Sequence, residues 1–424
     1  MLTESLQPWK SWQKAGFRFL FLLLGLSTFF CWDLVMYVVL AVFIKGYEPG
    51  KIYPPLVKPF HWLDQHIYHT GYDPKLHNPF PEDNHFAIVF YLTLVLLALV
   101  GCIIWSVADR KRTSYNRLYY WFRVYIRYVL AIVMFGYGID KFIPTQMQYP
   151  NVISLLTPVG EQTRFDVLWN FMGVSPSYQV FAGAAELLGS LLMLNRRSMV
   201  AGALITFFIL CNVVAFNIFY NVPVKMFSSQ LLIYNLFLIA PFGRRLVLFF
   251  WNGELVTLRE NYYAPVKPRS KYGLWALLVL IPFLIILFIT IAVTRGFARE
   301  KEEHRKQKLY EVTSFVVKDT LPPLLTDTLR WRRFAMAYTN RAVVYSMKDA
   351  MSWYACDADS VKKTFTLHDS PDSSTWQVLH YEYPAKDQIL LTGKWKGNDV
   401  RILMKEISVD SMALQKEKVK WILD

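Results

Sequence analysis

Charge is scarce in this chain. Asp, Glu, Lys and Arg make up 18% of its 424 residues, against 54% hydrophobic and 17% aromatic. A soluble domain carries about 25% charged residues, so an ordinary soluble globule is disfavoured from the outset. Cysteine is scarcer still. Cys31, Cys102, Cys211 and Cys356 lie far apart in sequence, which leaves no CxxC, haem-attachment or zinc pattern. Histidine is missing from every long apolar run: the eight are His61, His66, His69, His77, His85, His304, His368 and His380. A haem inside a helical bundle needs an axial histidine or comparable ligand there, so a haem oxidase is disfavoured. There is no Rossmann GxGxxG, no P-loop and no HExxH, and no flavin site is evident.

What is present is long apolar runs. Seven segments approach the ~20 residues that cross a bilayer: Phe17–Ile44, Phe86–Ala108, Phe122–Ile143, Tyr178–Leu194, Met199–Tyr220, Ser228–Pro241 with its flanks, and Tyr272–Thr294. The first is too long for a signal-peptide core and has no Ala-x-Ala after it, so it reads as a retained span. The net charge is +14. Its basic residues sit in short loops between spans, which argues against nucleic acid and for the positive-inside rule. With the N-terminus inside, fifteen Lys and Arg, from Lys10 to Lys271, fall on one side and six on the other. Seven crossings then place the C-terminal part outside the cytoplasm, in an inner membrane, with lipid as the constant partner.

The fold class expected is mostly α: a polytopic membrane helical bundle of about seven spans with a small C-terminal antiparallel β domain. Residues 1–117 read as a two-span hairpin with a long outer loop. Residues 118–250 form a four-span bundle, 251–299 a basic linker and anchor span, and 300–424 the β-rich domain. Within the last, "RAVVYSM", "KKTFTLHD", "TWQVLHYEYP", "QILLTGKWKG" and "DVRILMKEI" read as strands, and "KGND" as a hairpin turn. "HDSPDSS" and "CDAD" read as turns, Arg299–Lys308 as a polar helical stalk, and Trp376 and Trp395 as core residues of a partial barrel.

Ionisable residues inside spans are expensive and draw attention by default. Asp33, Arg123, Arg127, Asp140, Lys141 and Glu186 lie in or at the ends of apolar runs, and Asn212, Asn217, Asn221 and Asn235 follow in later ones. Glu186 stands among Gly183, Ala184, Ala185 and Gly189, and small residues let helices approach closely. Its carboxylate needs a partner, either Arg127 or Lys141, which are about 21 Å apart along a helix. Such a pair either fixes bundle register or forms a proton-linked or ligand-binding site. Lys141 at a span end can also snorkel, and Asp140 beside it points elsewhere. In the outer loop, His66 and His69, with His61 and Asp64 near, are the one arrangement that could recruit a metal, but His, Trp and Tyr also sit comfortably at headgroup level. No metal site is assigned.

The order Arg127, "YGIDKF", "FAGAAELLGSLLML", "RRS" and "NVVAFNIFYNVPVK" resembles the DoxX-like family of four-span membrane proteins. Gly138, Lys141, Glu186, Gly189 and Arg197 fall at its pattern positions. The resemblance covers about residues 118–250 and implies an inner-membrane protein linked to the quinone pool. In that reading the bundle holds a quinone ring with Gly138, Asn212 and Asn217 as candidate contacts. Glu186, with Arg127 or Lys141, handles protons, and a redox partner supplies electrons. The alternative is a non-enzymatic scaffold or assembly factor whose β domain docks a periplasmic protein. A third reading, a small-molecule transporter, lacks an inverted repeat or a broken midplane helix to support it.

Overall fold

The computed structural model describes residues 8–43, 54–75, 82–253, 273, 276–317, 327, 329–338, 340–368, 376–409, 412 and 414. The "HDSPDSS" turn after His368, most of the basic linker and His77 lie outside them. Two compact units result: 1–146 with 177–295, and 147–176 with 296–424.

The first unit is helical. α1 (Ser11–Phe43) leads to α2 (Pro54–Leu63), which runs into one π-type turn, Asp64–Tyr68. Then come α3 (His85–Ala108) and α4 (Asn116–Phe142). After the segment that belongs to the other unit follow α7 (Pro176–Leu194), α8 (Met199–Phe219), α9 (Lys225–Ile239) and α10 (Gly243–Asn252). A π-type turn, Ala276–Leu280, opens the final helix, α11 (Ile281–Arg305). Among the described residues seven stretches are helical, long and apolar enough to cross a membrane: Ser11–Asp33, α3, α4, α7, α8, Lys225–Asn252 and Leu278–Arg299. The sixth is longer than its apolar run suggested, because Pro241 is absorbed in a 3-10 turn, Ala240–Phe242, that joins α9 to α10.

In six of these seven stretches most of the apolar window is exposed in the chain by itself. α4 is the exception, buried along most of its length. One continuous core joins it to α1, α3, α8 and α9 through Phe17, Leu24, Phe86, Phe122, Ile126, Leu130, Leu210, Leu231 and Tyr234. The N-terminal hairpin and the later helices therefore share a single core. Asp83 fixes the start of α9 from a distance: its carboxylate accepts the backbone N–H of Lys225 (2.7 Å) and of Met226 (2.9 Å). It thereby satisfies donors that a helix N-terminus leaves open.

The second unit is a closed antiparallel barrel of eight strands in sequence order: β1 (Lys308–Val317), β2 (Trp331–Tyr338), β3 (Arg341–Ser346), β4 (Met351–Asp359), β5 (Thr364–His368), β6 (Gln377–Ala385), β7 (Gln388–Trp395) and β8 (Asn398–Ile407). It is complete, not partial, because β1 pairs with β8 from Leu309↔Ile407 to Val317↔Val400. "CDAD" is not a turn but the end of β4. The "KGND" turn is present, with Lys396 at φ 47 and Gly397 at φ 84, the two positive values a tight hairpin turn requires. Inward residues alternate along each strand, as in Val400, Ile402 and Met404, and meet Phe334, Leu367, Leu379, Leu391 and Trp395. Side chains fill the interior, as expected for eight strands.

One outer wall of the barrel is also covered. α5 (Val152–Leu156), in the 147–176 segment with α6 (Arg164–Gly173), lays Val152 and Ile153 on Leu309, Ala335, Val343 and Tyr345. Gln307 accepts the Val152 N–H at 3.2 Å. A segment expected in the four-span bundle thus belongs to the barrel's unit.

Of the two tryptophans expected in the core, Trp395 is 2% exposed but Trp376 is 42% exposed, stacked on His368 at 4.8 Å. Trp395→Ala is expected to cost the barrel about 3–5 kcal/mol, whereas Trp376→Ala should stay within about 0.5 kcal/mol. Calorimetry of the detergent-solubilised chain separates the two; equal costs would contradict this placement.

Candidate functional site

α4 ends on Asp140 and Lys141, and the structure sends them to different places. The Asp140 carbonyl accepts Thr145 N–H (2.9 Å) and Gln146 N–H (3.1 Å), and its carboxylate accepts the Thr145 hydroxyl at 3.1 Å. It finishes the helix. Lys141 turns inward and is buried, as is Glu186 on α7. Lys141 Nζ is 2.9 Å from Glu186 Oε1 and 3.0 Å from Oε2. The Tyr137 ring centre lies 5.5 Å from the same ammonium.

The pair can close because glycine brings the helices together. A Cβ on Gly183 would stand 2.5 Å from Phe142 N and 2.6 Å from Gly138 O. One on Gly138 would meet Leu187 at 3.0 Å. The next turns of α7 repeat the device against α8: a Cβ on Gly189 would meet Thr206 at 2.6 Å, and one on Gly202 would meet Met193 N at 2.7 Å. The small-residue face that the sequence displays is a three-helix contact, and its one charge is neutralised within it.

The other candidates are dispersed. Arg127 is buried but does not reach Glu186. Its guanidinium carbon lies 5.0 Å from the ring centre of the adjacent Tyr128. Arg123 donates to Leu238 O at 2.7 Å, at the end of α9, and stacks near Tyr119 and Phe242. Asn212 is exposed while Asn217 is buried; five residues apart on α8, they face different sides. Asn235 donates to Ala203 O at 3.1 Å, and Asp33 is buried. The space left by the missing side chain of Gly138 is taken by Leu187 of α7.

A polar network escaped the sequence reading. Tyr91 donates to Gln230 Oε1 (2.6 Å), and Gln230 Nε2 donates to Ser27 O (3.0 Å) and to Tyr234 OH (2.8 Å). The Tyr234 and Ser27 hydroxyls are 2.7 Å apart. It ties α1, α3 and α9 together. The signal was Gln230 in an apolar run, an amide that must find partners in its own bundle.

The histidine loop is a turn device. Asp64 accepts four bonds: Thr70 N–H (2.8 Å), Thr70 hydroxyl (2.7 Å), Gly71 N–H (3.1 Å) and Tyr72 N–H (2.8 Å). His61 Nδ1 lies 3.1 Å from Tyr72 O and His85 Nδ1 2.6 Å from Thr70 O, while His66 stacks on Trp62. Among the described residues no three His, Cys, Asp or Glu stand together as metal ligands. Burial alone would raise the Asp64 carboxyl, but the Thr70, Tyr72 and Gly71 donors outweigh it and hold the group below the usual carboxylate range.

Two outcomes follow from this geometry. Gly183→Ala should lower thermal stability in detergent by the equivalent of about 1–3 kcal/mol through overpacking. Gly136→Ala, with nothing within 4 Å of its Cβ, should be neutral or gain up to about 1 kcal/mol. The depressed Asp64 carboxyl stabilises its loop above the ordinary carboxylate pKa, and this is lost as pH falls through the lower folded value. Hydrogen exchange at Thr70, Gly71 and Tyr72 should show protection fading on that acid limb, and Asp64→Asn should flatten it.

No family model and no solved structure matches the chain. A relative does: the uncharacterized protein YwoB of Bacillus subtilis is 31% identical over 116 residues, which are 27% of this chain and 71% of that protein. With that coverage of the relative, the chain belongs to the same family as YwoB.

Proposed function

We propose that the chain is a multi-pass inner-membrane protein of the DoxX-like type, acting as a non-enzymatic scaffold that holds its barrel outside the cytoplasm for a partner protein. The observation that supports this reading is the closed Lys141–Glu186 pair. Both carboxylate oxygens are engaged, both side chains are buried, and glycine contacts hold α4 and α7 close together beside them. A pair built this way fixes register more readily than it exchanges ligands. The barrel, filled inside, offers its outer surface, where Trp353, Trp376 and Tyr383 are exposed.

The orientation rests on contacts between loops. Trp9 N–H donates to Thr113 O and Lys14 Nζ to Arg112 O, joining the chain before span one to the loop after span two. Asp83, after span one, holds Lys225, after span five. Segment 147–176, after span three, packs with the chain after span seven. Every link joins segments an even number of crossings apart, as seven alternating spans require. The fifteen-to-six basic asymmetry then puts the N-terminus inside.

A second reading, a quinone-linked redox accessory subunit, draws support from Glu186 and Lys141 at the family pattern positions and from the pair's burial. Variants of the pair separate the two. Glu186→Ala should cost about 3–5 kcal/mol by leaving a buried cation, and adding Lys141→Ala should restore part of it. On the scaffold reading, Glu186→Gln that folds keeps wild-type behaviour in a deletion strain. If that folded variant instead loses quinol-dependent respiration in membrane vesicles, the redox reading replaces the scaffold.

A further inference from the structure

We propose that the inner half of α4 carries an anion seat at Arg127 that takes the phosphate of an anionic lipid headgroup, a site separate from the Lys141–Glu186 pair. Arg127 is 6% exposed and its Nε has no hydrogen-bond partner. Its contact is with the side chain of the next residue, Tyr128. No carboxylate among the described residues is paired with it. A guanidinium does not escape this position by losing its proton, and a buried charge without a counter-charge is costly. Arg123, one turn earlier, shows the contrast: it reaches the Leu238 carbonyl and two aromatic rings. Two positive charges therefore sit on successive turns of one span, and the deeper one has the Tyr128 side chain beside it and no paired carboxylate among the described residues.

The direction of the seat follows from Tyr128. Its hydroxyl donates to Leu194 O at 3.4 Å, so the ring reaches the last turn of α7, with the Arg127 guanidinium carbon 5.0 Å from the ring centre. Exposed Asn195, Arg196 and Arg197 follow at once. A basic track thus runs from the buried Arg127 to an exposed turn at the span's end, on the Lys/Arg-rich side. Phosphate oxygens match the guanidinium fork, and basic clefts between spans on that side suit anionic headgroups. Exposed Leu188 and Leu191 on α7 offer an acyl chain a surface just beyond, which favours a lipid over free phosphate.

The test uses the full chain in neutral detergent, with thermal stability read as phosphatidylglycerol, phosphatidylcholine or inorganic phosphate is added. Expected is a rise of several degrees with phosphatidylglycerol and none with phosphatidylcholine. Arg127→Gln should lose that rise, Arg127→Lys should keep only part of it, and the double variant Arg196→Gln, Arg197→Gln should need several-fold more lipid. An equal rise with inorganic phosphate would reassign the seat to a free anion and overturn the lipid. A phosphatidylglycerol response in Arg127→Gln equal to wild type would overturn the seat itself. Should Arg127→Gln not fold, an unchanged response in the Arg196, Arg197 double variant overturns it equally.

Discussion

A lysine and a carboxylate buried in an apolar helical bundle are tolerable only together, and the bundle around α7 is arranged so that they meet. The 2.9 Å contact between Lys141 and Glu186 demands that α4 and α7 approach closely, and Gly138 and Gly183 permit it. Gly189 and Gly202 then seat α8 on the same helix. Rotating α7 by one residue would swing Glu186 about 100° away and strand both charges. In apolar surroundings, where burial of carbon distinguishes little between packings, close van der Waals fit and such polar contacts decide the arrangement. The pair is weak evidence for net stability, since replacing it by apolar residues is often neutral. Its effect is to make other registers costly.

How much of this was legible depended on whether a feature was local. The seven apolar runs, the glycine-flanked Glu186 and the "KGND" turn are each contained within about twenty residues, and each appears where the sequence put it. The choice between Arg127 and Lys141 was not local. Both lie on α4, and only the α4–α7 crossing, set by Gly183 against Phe142, decides which is level with Glu186. Gly138 carries an ambiguity of the same kind. Gly138 reads equally as space for a ligand and as space for a helix, and Leu187 fills it.

The barrel repeats the point. Five strands carry clear alternation, but β1, β2 and β4 do not announce themselves. β4 ends in "CDAD", whose two acids suggest a turn until its pairing with β5, from Ala355↔His368 to Asp359↔Thr364, is seen. Closure depends on β1 meeting β8 across about ninety residues, and no short window contains that. The Gln230 network is equally long-range. Ser, Tyr and Gln barely change the hydropathy of a span, so their meeting across α1, α3 and α9 is invisible until the helices are packed.

Segment 147–176 gives the pair a mechanical meaning. It leaves α4 at Phe142, packs within the barrel's unit through Val152 and Ile153, and re-enters the bundle at Pro176. Force on that unit therefore reaches the helices by two covalent routes, through α11 and through this segment. Along the second route it arrives at the ends of α4 and α7. Lys141 is one residue from the end of α4 and Glu186 about three turns into α7, so their contact ties the end of one helix to the middle of the other. A pull that separates the helices must break a desolvated ion pair and open a glycine contact together, and both are steep over a fraction of an ångström. A pair in this position resists separation of α4 from α7, whatever else it does.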